Sequence, residues 1–247
     1  MPENRFVGAA ARSYDEKHAD RATPEVIGQT VRTLMDLADG GSALEFAIGT
    51  GRVALPLAAA GIDVSGIELS TDMLAEMRAK PGGDQLAAIE GDMATATLAG
   101  SFSLVYLVYN TITNLITQDE QVACFENAAG HLRPGGRFVI ENYVPPLREL
   151  PPGAPGRVFG LSEDYVGVDD FIDRTHKQIS RSRHFRRLDD NSFSEFTLPF
   201  RYVWPAELDL MARIAGMSLE HRWADWDQSP FTGESPSHVS VWRLPFD

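Results

Sequence analysis

Ala43-Leu44-Glu45-Phe46-Ala47-Ile48-Gly49-Thr50-Gly51 is the stretch on which the fold turns. Ala43 to Ala47 reads as a short buried strand, and Gly51 to Ala60 as a helix stopped by Gly61. Pro56 lies near the front of that helix, where a missing N–H costs less than it would mid-helix. The small residues between strand and helix let the backbone approach a ligand without Cβ collisions. The helix start adds free N–H groups and a partial positive charge. A strand, a glycine loop and a helix in this order make a place for the polar or phosphorylated part of a nucleotide-type ligand.

On both sides of this stretch, strand and helix alternate. Thr23-Pro24-Glu25 supplies an N-cap, a proline in the first turn and an early acid, so a helix begins there, with Val26, Ile27, Leu34 and Leu37 on its buried side. Asp39-Gly40-Gly41 ends it. Ile62 to Leu69 is the second strand, and Ser70 can cap a helix running to about Lys80. Leu86 to Glu90 and Phe102 to Val108 are the third and fourth strands. A helix from about Gln118 to Leu132 stops at Pro134-Gly135-Gly136, and Arg137 to Tyr143 is the fifth strand. Alternation of this kind predicts a Rossmann-like α/β fold: a seven-stranded, mainly parallel sheet with helices on both faces.

The pattern breaks after Tyr143. Residues 145–156, rich in proline and glycine, read as a linker. Residues 157–203 read as antiparallel strands, with turn chemistry at Asp189-Asp190-Asn191. Trp204-Pro205-Ala206-Glu207 opens another helix, and Met217 to Trp223 and His238 to Trp242 close the chain as strands. The expected division is a cofactor-binding core with N-terminal helices over 1–143, an inserted β-rich lid over 144–203, and a return to the core sheet over 204–247.

Composition narrows the function. The chain has 247 residues, 43% hydrophobic and 23% charged, in the range of an ordinary globule. Its single cysteine, Cys124, excludes an intrachain disulfide and a cysteine-rich zinc site, and reads as a small buried hydrophobe. No metal is expected. With no leader and no apolar run near the ~18–20 residues that span a bilayer, a cytoplasmic protein without a membrane partner is expected. A formal net charge of −13 argues against nucleic acid as a partner. One basic stretch, Arg174, Lys177, Arg181, Arg183, Arg186 and Arg187, reads either as a solvated strand face or as a basic edge toward an anionic or polar substrate.

Gly49-x-Gly51-x-x-Ala54, with Glu68 after it, fits NAD(P) and S-adenosylmethionine alike. Three features separate them. Glu45 precedes the glycines, where a buried acid is costly beside a pyrophosphate and useful beside a cationic sulfonium amino acid. Glu90-Gly91-Asp92-Met93 follows the third strand, where a carboxylate and the next N–H can read an adenine edge. His131-Leu132-Arg133-Pro134-Gly135-Gly136-Arg137 leads into the fifth strand.

In ALEFAIGTGRVALPLA, SGIELSTDML, IEGDMA, FSLVYLVYNTITNL and LRPGGRFVIENY the chain resembles the class I S-adenosylmethionine-dependent methyltransferases, over about residues 42–143. The resemblance implies the following roles. Glu45, Ala47, Gly49, Thr50 and Gly51 form the cofactor loop, and Glu68 accepts both ribose hydroxyls. Asp92 accepts from the adenine amino group, the Met93 N–H donates to the ring, and Leu69 and Met73 pack on it. The carbonyl at about Leu107 takes the methionine ammonium, and Tyr14 covers the cofactor. Ala47 stands where the family has glycine, and is expected to be tolerated with an extended backbone.

No catalytic residue is named by the sequence. Tyr109, Asn110, Asn114, Glu141, Asn142 and Tyr143, at the ends of strands four and five, are candidates for facing a substrate. So are His176, His184, Trp204, Trp223 and Trp226. The segment before Arg201-Tyr202-Val203-Trp204-Pro205 is similar to the lid of small-molecule methyltransferases, including sugar N-methyltransferases. The expected activity is methyl transfer from S-adenosylmethionine to a small-molecule acceptor at N or O rather than C, in secondary metabolism. An NAD(P)-dependent oxidoreductase and a non-catalytic S-adenosylmethionine-binding protein are the alternatives. The chain is read as a monomer or a homodimer.

Overall fold

The computed structural model describes residues 4–19, 22–188, 190 and 192–246. Two short helices, α1 (Ala9–Arg12) and α2 (Tyr14–Lys17), precede the first helix expected from the sequence. Then follow α3 (Pro24–Ala38), β1 (Ala43–Phe46), α4 (Ala54–Ala59), β2 (Val64–Glu68), α5 (Thr71–Arg78), β3 (Ala87–Glu90), β4 (Phe102–Leu107), α6 (Gln118–His131) and β5 (Leu132–Tyr143). A second set, β6 (Gly156–Leu161), β7 (Tyr165–Asp173), β8 (Ile179–Arg187) and β9 (Phe193–Arg201), precedes α7 (Pro205–Ile214), β10 (Ser218–Trp223) and β11 (Ser237–Arg243).

The first sheet has seven strands in the order β10-β11-β5-β4-β1-β2-β3. β1 to β5 are mutually parallel, β11 is antiparallel to β5, and β10 is antiparallel to β11. β1 and β4 are buried along their whole length, which is why both read as continuous apolar runs. Leu44 and Phe46 face α6 and α7, together with Phe125, Phe138 and Trp242. Ala43 joins Leu34, Leu37, Leu57 and Tyr106 under α3 and α4. The chain leaves β1 toward β2 on one side while β4 lies on the other, so the ligand crevice opens at their carboxyl ends.

The caps formed as expected. The Thr23 hydroxyl accepts from the Val26 N–H, and the Ser70 hydroxyl from the Met73 N–H. α4 is shorter than its sequence pattern, because Arg52 and Val53 form a turn before it. Val26 and Ile27 are only half-buried; Val31, Thr33 and Thr30 cover the sheet with Leu34 and Leu37.

The second sheet is an antiparallel meander, β6-β7-β8-β9. Of its expected β8–β9 turn, Asp189 and Asn191 lie outside the described residues. Within the basic stretch, Arg183 lies 2.8 Å from Asp170 of β7, and Arg187 3.3 Å from Glu163 in the β6–β7 turn. The solvated-face reading is the one this geometry fits.

A buried polar knot fastens the base of the meander to the core. Arg201, only 2% exposed, donates to Gln121 Oε1 and Glu207 Oε1, each at 2.5 Å, and to Gln178 Oε1 at 3.0 Å. The Gln121 amide donates to the carbonyls of Ile112, Leu115 and Arg201. Truncation here leaves buried partners unsatisfied, so Arg201→Ala is expected to cost about 3 kcal/mol in denaturant unfolding.

Candidate active site

The carboxylate of Glu68 stands at the tip of β2. Its Oε2 accepts from the Gly49 N–H and its Oε1 from the Ser70 N–H, both at 2.9 Å. One side chain therefore holds the glycine loop and starts α5. Each oxygen keeps further acceptor capacity. Burial raises the Glu68 pKa, while the N–H groups of Ser70, Gly49 and Leu69 oppose that rise.

In the loop, Gly49 and Gly51 have φ of 58° and 76°. A Cβ on Gly51 would lie 2.8 Å from Met77 and 3.0 Å from Leu55, so glycine is required there for space and for conformation. Ala47 departs from expectation: its φ is 51°, left-handed rather than extended. The Ile48 N–H is tied to the Ile67 carbonyl at 3.1 Å, and the Glu45 and Phe46 register with β2 fixes the approach. The loop path is thus set by the sheet, and alanine adopts the conformation that glycine would take at no steric cost.

A cleft with about 590 Å³ of space, some of it open to solvent, lies beside the loop. Ala47, Glu68, Leu69, Asp92 and Met93 line it, with Asn114 across from them. Asp92 also accepts from the Ala94 N–H at 2.9 Å, which fixes its side chain. Liners given no role by sequence reasoning include Thr111 and Leu115 after β4 and, from the N-terminal segment, Asn4, Arg5 and Phe6. That segment is pinned by tertiary bonds. Ser70 Oγ donates to the Phe6 carbonyl, the Gly8 N–H to Asp72 Oδ2 at 2.5 Å, and Arg5 to the Pro199 carbonyl at 3.2 Å. No local pattern of residues 4–8 announces those partners.

Other expected residues lie elsewhere. Met73 is buried beneath the loop, its Cε 3.4 Å from where a Gly49 Cβ would stand, and does not line the cleft. The Thr50 hydroxyl donates to Asp15 Oδ1 at 2.6 Å, tying α2 to the loop. Leu107 is fully buried at the end of β4, in register with Ile140. Tyr14 packs edge-on against Phe6 at 5.7 Å, and burial pushes its phenol up to about 12, so it stays a hydrogen-bond donor.

Glu45 is buried, and Tyr106 donates to its Oε2 at 2.8 Å. Burial pushes its carboxyl up to about 8, against the opposing pull of Tyr106 and Arg52. A nearby cation reverses that balance and favours the carboxylate.

The substrate-side candidates divide. Tyr109, at the end of β4, lines a second, polar cavity with Arg52, Glu141, Asp225 and Trp226. Asn110 is a structural stitch: its Oδ1 accepts from the Tyr143 N–H at 2.7 Å. Asn114 donates to the Thr111 carbonyl and lines the first cleft. Tyr143 is half-buried near Asp169, Ser180 and Arg157 of the meander, and desolvation raises its pKa. Asn142 is buried in the sheet, in register with His238. His176 lies in the exposed β7–β8 turn rather than in a strand, and its N–H donates to Asp173 Oδ1. Trp204 caps α7 from a position 37% exposed, while Trp226 is core and Trp223 stacks on His221. His184 accepts its place on the meander from Tyr165, 2.8 Å from its Nδ1, and burial lowers its pKa. Cys124 is fully buried, as expected.

Similarity to known proteins follows the same geometry. The sequence profile of the methyltransferase domain matches residues 43–136. The CcbJ methyltransferase from Streptomyces caelestis is 34% identical, with a TM-score of 0.83 over 95% of this chain and 96% of that one. The chain belongs to the class I S-adenosylmethionine-dependent methyltransferases. The hydride-transfer alternative falls with that assignment. Among this methyltransferase's relatives, the cypemycin N-terminal methyltransferase of Streptomyces sp is 29% identical over 82% of this chain and 83% of its own. The dTDP-3-amino-3,6-dideoxy-alpha-D-glucopyranose N,N-dimethyltransferase of Streptomyces fradiae is 32% identical over 57% of this chain and 55% of its own. Among the described residues, no helix is long and apolar enough to cross a membrane.

Two outcomes are expected for the loop. Ala47→Gly relieves the left-handed strain and should raise unfolding stability by about 1 kcal/mol. Glu45 titrates above its unfolded value, so its neutral form stabilises the cofactor-free fold at low pH. That contribution is complete below the ordinary carboxyl value of 4.5 and is lost as pH rises through about 8. The melting temperature of the cofactor-free methyltransferase should fall across that window, and Glu45→Gln should flatten the fall.

Proposed function

We propose that this methyltransferase moves the methyl group of S-adenosylmethionine to an amine nitrogen of a small metabolite of secondary metabolism. The observation that carries the cofactor half is the cleft that Glu68, Leu69, Asp92 and Met93 line together. A buried acceptor for two hydroxyls, an apolar side chain and a second carboxylate match a ribose, an adenine face and an adenine amino group. In this reading Tyr14 covers the cofactor, and Glu45 and the Leu107 carbonyl receive the cationic amino-acid end. The bound cofactor supplies an electrophilic methyl on a good leaving group, so the protein's work is alignment and exclusion of water.

The acceptor half is supported by the relatives. One is named for the N-terminus of cypemycin, the other for N,N-dimethylation of an amino sugar. Residues 144–203 shape the acceptor pocket in this reading, with 1–143 and 204–247 forming the core. Tyr165, Asp169, Ser180 and His184 of the meander and Tyr143 of the core carry polar groups for it.

Calorimetry tests the cofactor half: S-adenosylhomocysteine should bind at about micromolar level and NAD(P) should not. Glu68→Ala should weaken that binding by at least about 1.5 kcal/mol; unchanged affinity removes Glu68 from the ribose site. A mass-spectrometric panel of amino sugars and peptide amines, each beside its hydroxyl analogue, tests the acceptor half. Methyl gain on the amines alone is expected, and gain on the hydroxyls alone would overturn it.

A further inference from the structure

The end of β4 carries backbone strain that core packing does not require. Tyr109 and Asn110 hold φ of 58° and 60°, two successive left-handed residues with side chains. Their surroundings over-determine this path. The Tyr109 N–H donates to Glu141 Oε2 at 2.9 Å, the Asn110 N–H to the Glu141 carbonyl at 3.1 Å, and the Tyr143 N–H to Asn110 Oδ1 at 2.7 Å. Strain held by so many bonds marks a side chain that is being aimed. The Tyr109 ring lines the second, polar cavity, 5.4 Å from the Arg52 guanidinium. Its hydroxyl lies 3.1 Å from His18 Nδ1, and the His18 ring packs against Tyr14 at 4.6 Å. Neither His18 nor this pairing is visible in any sequence motif, since the two residues are 91 positions apart.

We propose that Tyr109 and His18 together remove the proton from the acceptor amine, Tyr109 touching the acceptor and His18 acting through it. This rests on the amine reading above. A protonated amine has no lone pair to donate. In the step proposed, the ammonium N–H passes its proton to the Tyr109 oxygen as the Tyr109 O–H proton passes to His18 Nδ1. The phenol is regenerated, the imidazole becomes imidazolium, and the amine is neutral. Its lone pair then forms the N–C bond, the S–C bond breaks, and that electron pair stays on sulfur. The products are the methylated ammonium and a neutral thioether, and His18 returns its proton to solvent. An imidazole is a stronger base than a phenol, so His18 is the proton sink that a lone Tyr109 lacks. Among the described residues, the charged and titratable groups around the pair include Tyr14 and Asp15 on α2, Arg52 in the loop, Glu68 on β2, and Glu141 and Asp225 beyond the Tyr109 ring.

The test uses the whole enzyme and an amine that the wild type methylates. The pH profile of kcat is measured for the wild type, His18→Asn, Tyr109→Phe and the double variant, with S-adenosylhomocysteine affinity measured by calorimetry. Tyr109→Phe keeps the ring and its packing. Each single variant should lose about 100-fold in kcat at neutral pH, and recover as pH approaches the amine's own titration. The double variant should be no slower than either single one, because the two groups act as one route. Cofactor-product affinity should stay within about twofold. An unchanged acid limb in both single variants overturns the proposal while leaving the amine reading intact. Losses that multiply in the double variant, or that match a loss of S-adenosylhomocysteine affinity, overturn it as well. A wild type that methylates no amine refutes the amine reading and takes this proposal with it.

Discussion

The two hydrogen bonds that Glu68 accepts, from Gly49 and from Ser70, set the geometry on which the rest of the site depends. They join the tip of β2 to the glycine loop after β1 and to the first turn of α5. A charge-assisted bond to a backbone N–H is stronger than a neutral one, and both of these are shielded from water. The arrangement orders the loop while leaving acceptor capacity facing the cleft. It also places Ser70, whose hydroxyl serves both the Met73 N–H and the Phe6 carbonyl. A single carboxylate thereby links the loop, the following helix and the segment that covers the cleft.

That covering segment shows how the molecule closes a site without a long element. Residues 4–8 reach Ser70 and Asp72, and α2 reaches Thr50 through Asp15. Lys80 adds an ion pair to Asp15 at 2.5 Å, with side chains 31% and 47% exposed, so solvent screening leaves it a minor contribution. The cover is held by a few directed bonds rather than by buried area. The meander on the other side is different. Its base is fixed by the buried Arg201–Gln121–Glu207 knot, so its position relative to α6 and α7 is set by paired charges with little freedom.

Glu45 and Tyr109 illustrate two uses of cost at one crevice. Glu45 carries a desolvation penalty that a bound cation would relieve. Tyr109 carries backbone strain that the bonds from Glu141 and Asn110 maintain. In both cases the neighbouring sheet supplies the stability that keeps the unfavourable state in place.

The sequence by itself determined the architecture and the class of cofactor. Buried parallel strands read as apolar runs, Thr23 and Ser70 marked helix starts, and Gly49, Gly51, Glu68 and Asp92 stood at spacings that local geometry enforces. Those signals are short-range, so they survive in one dimension. What only the tertiary structure decided is what depends on residues far apart. The partners of Asn4, Phe6 and Gly8 lie 64 or 65 positions away, and His18 meets Tyr109 across 91. The left-handed turn of Ala47 was also hidden, because alanine carries no local preference for it and the register with β2 imposes it. The same is true of the placement of His176 in an exposed turn and of Met73 beneath the loop.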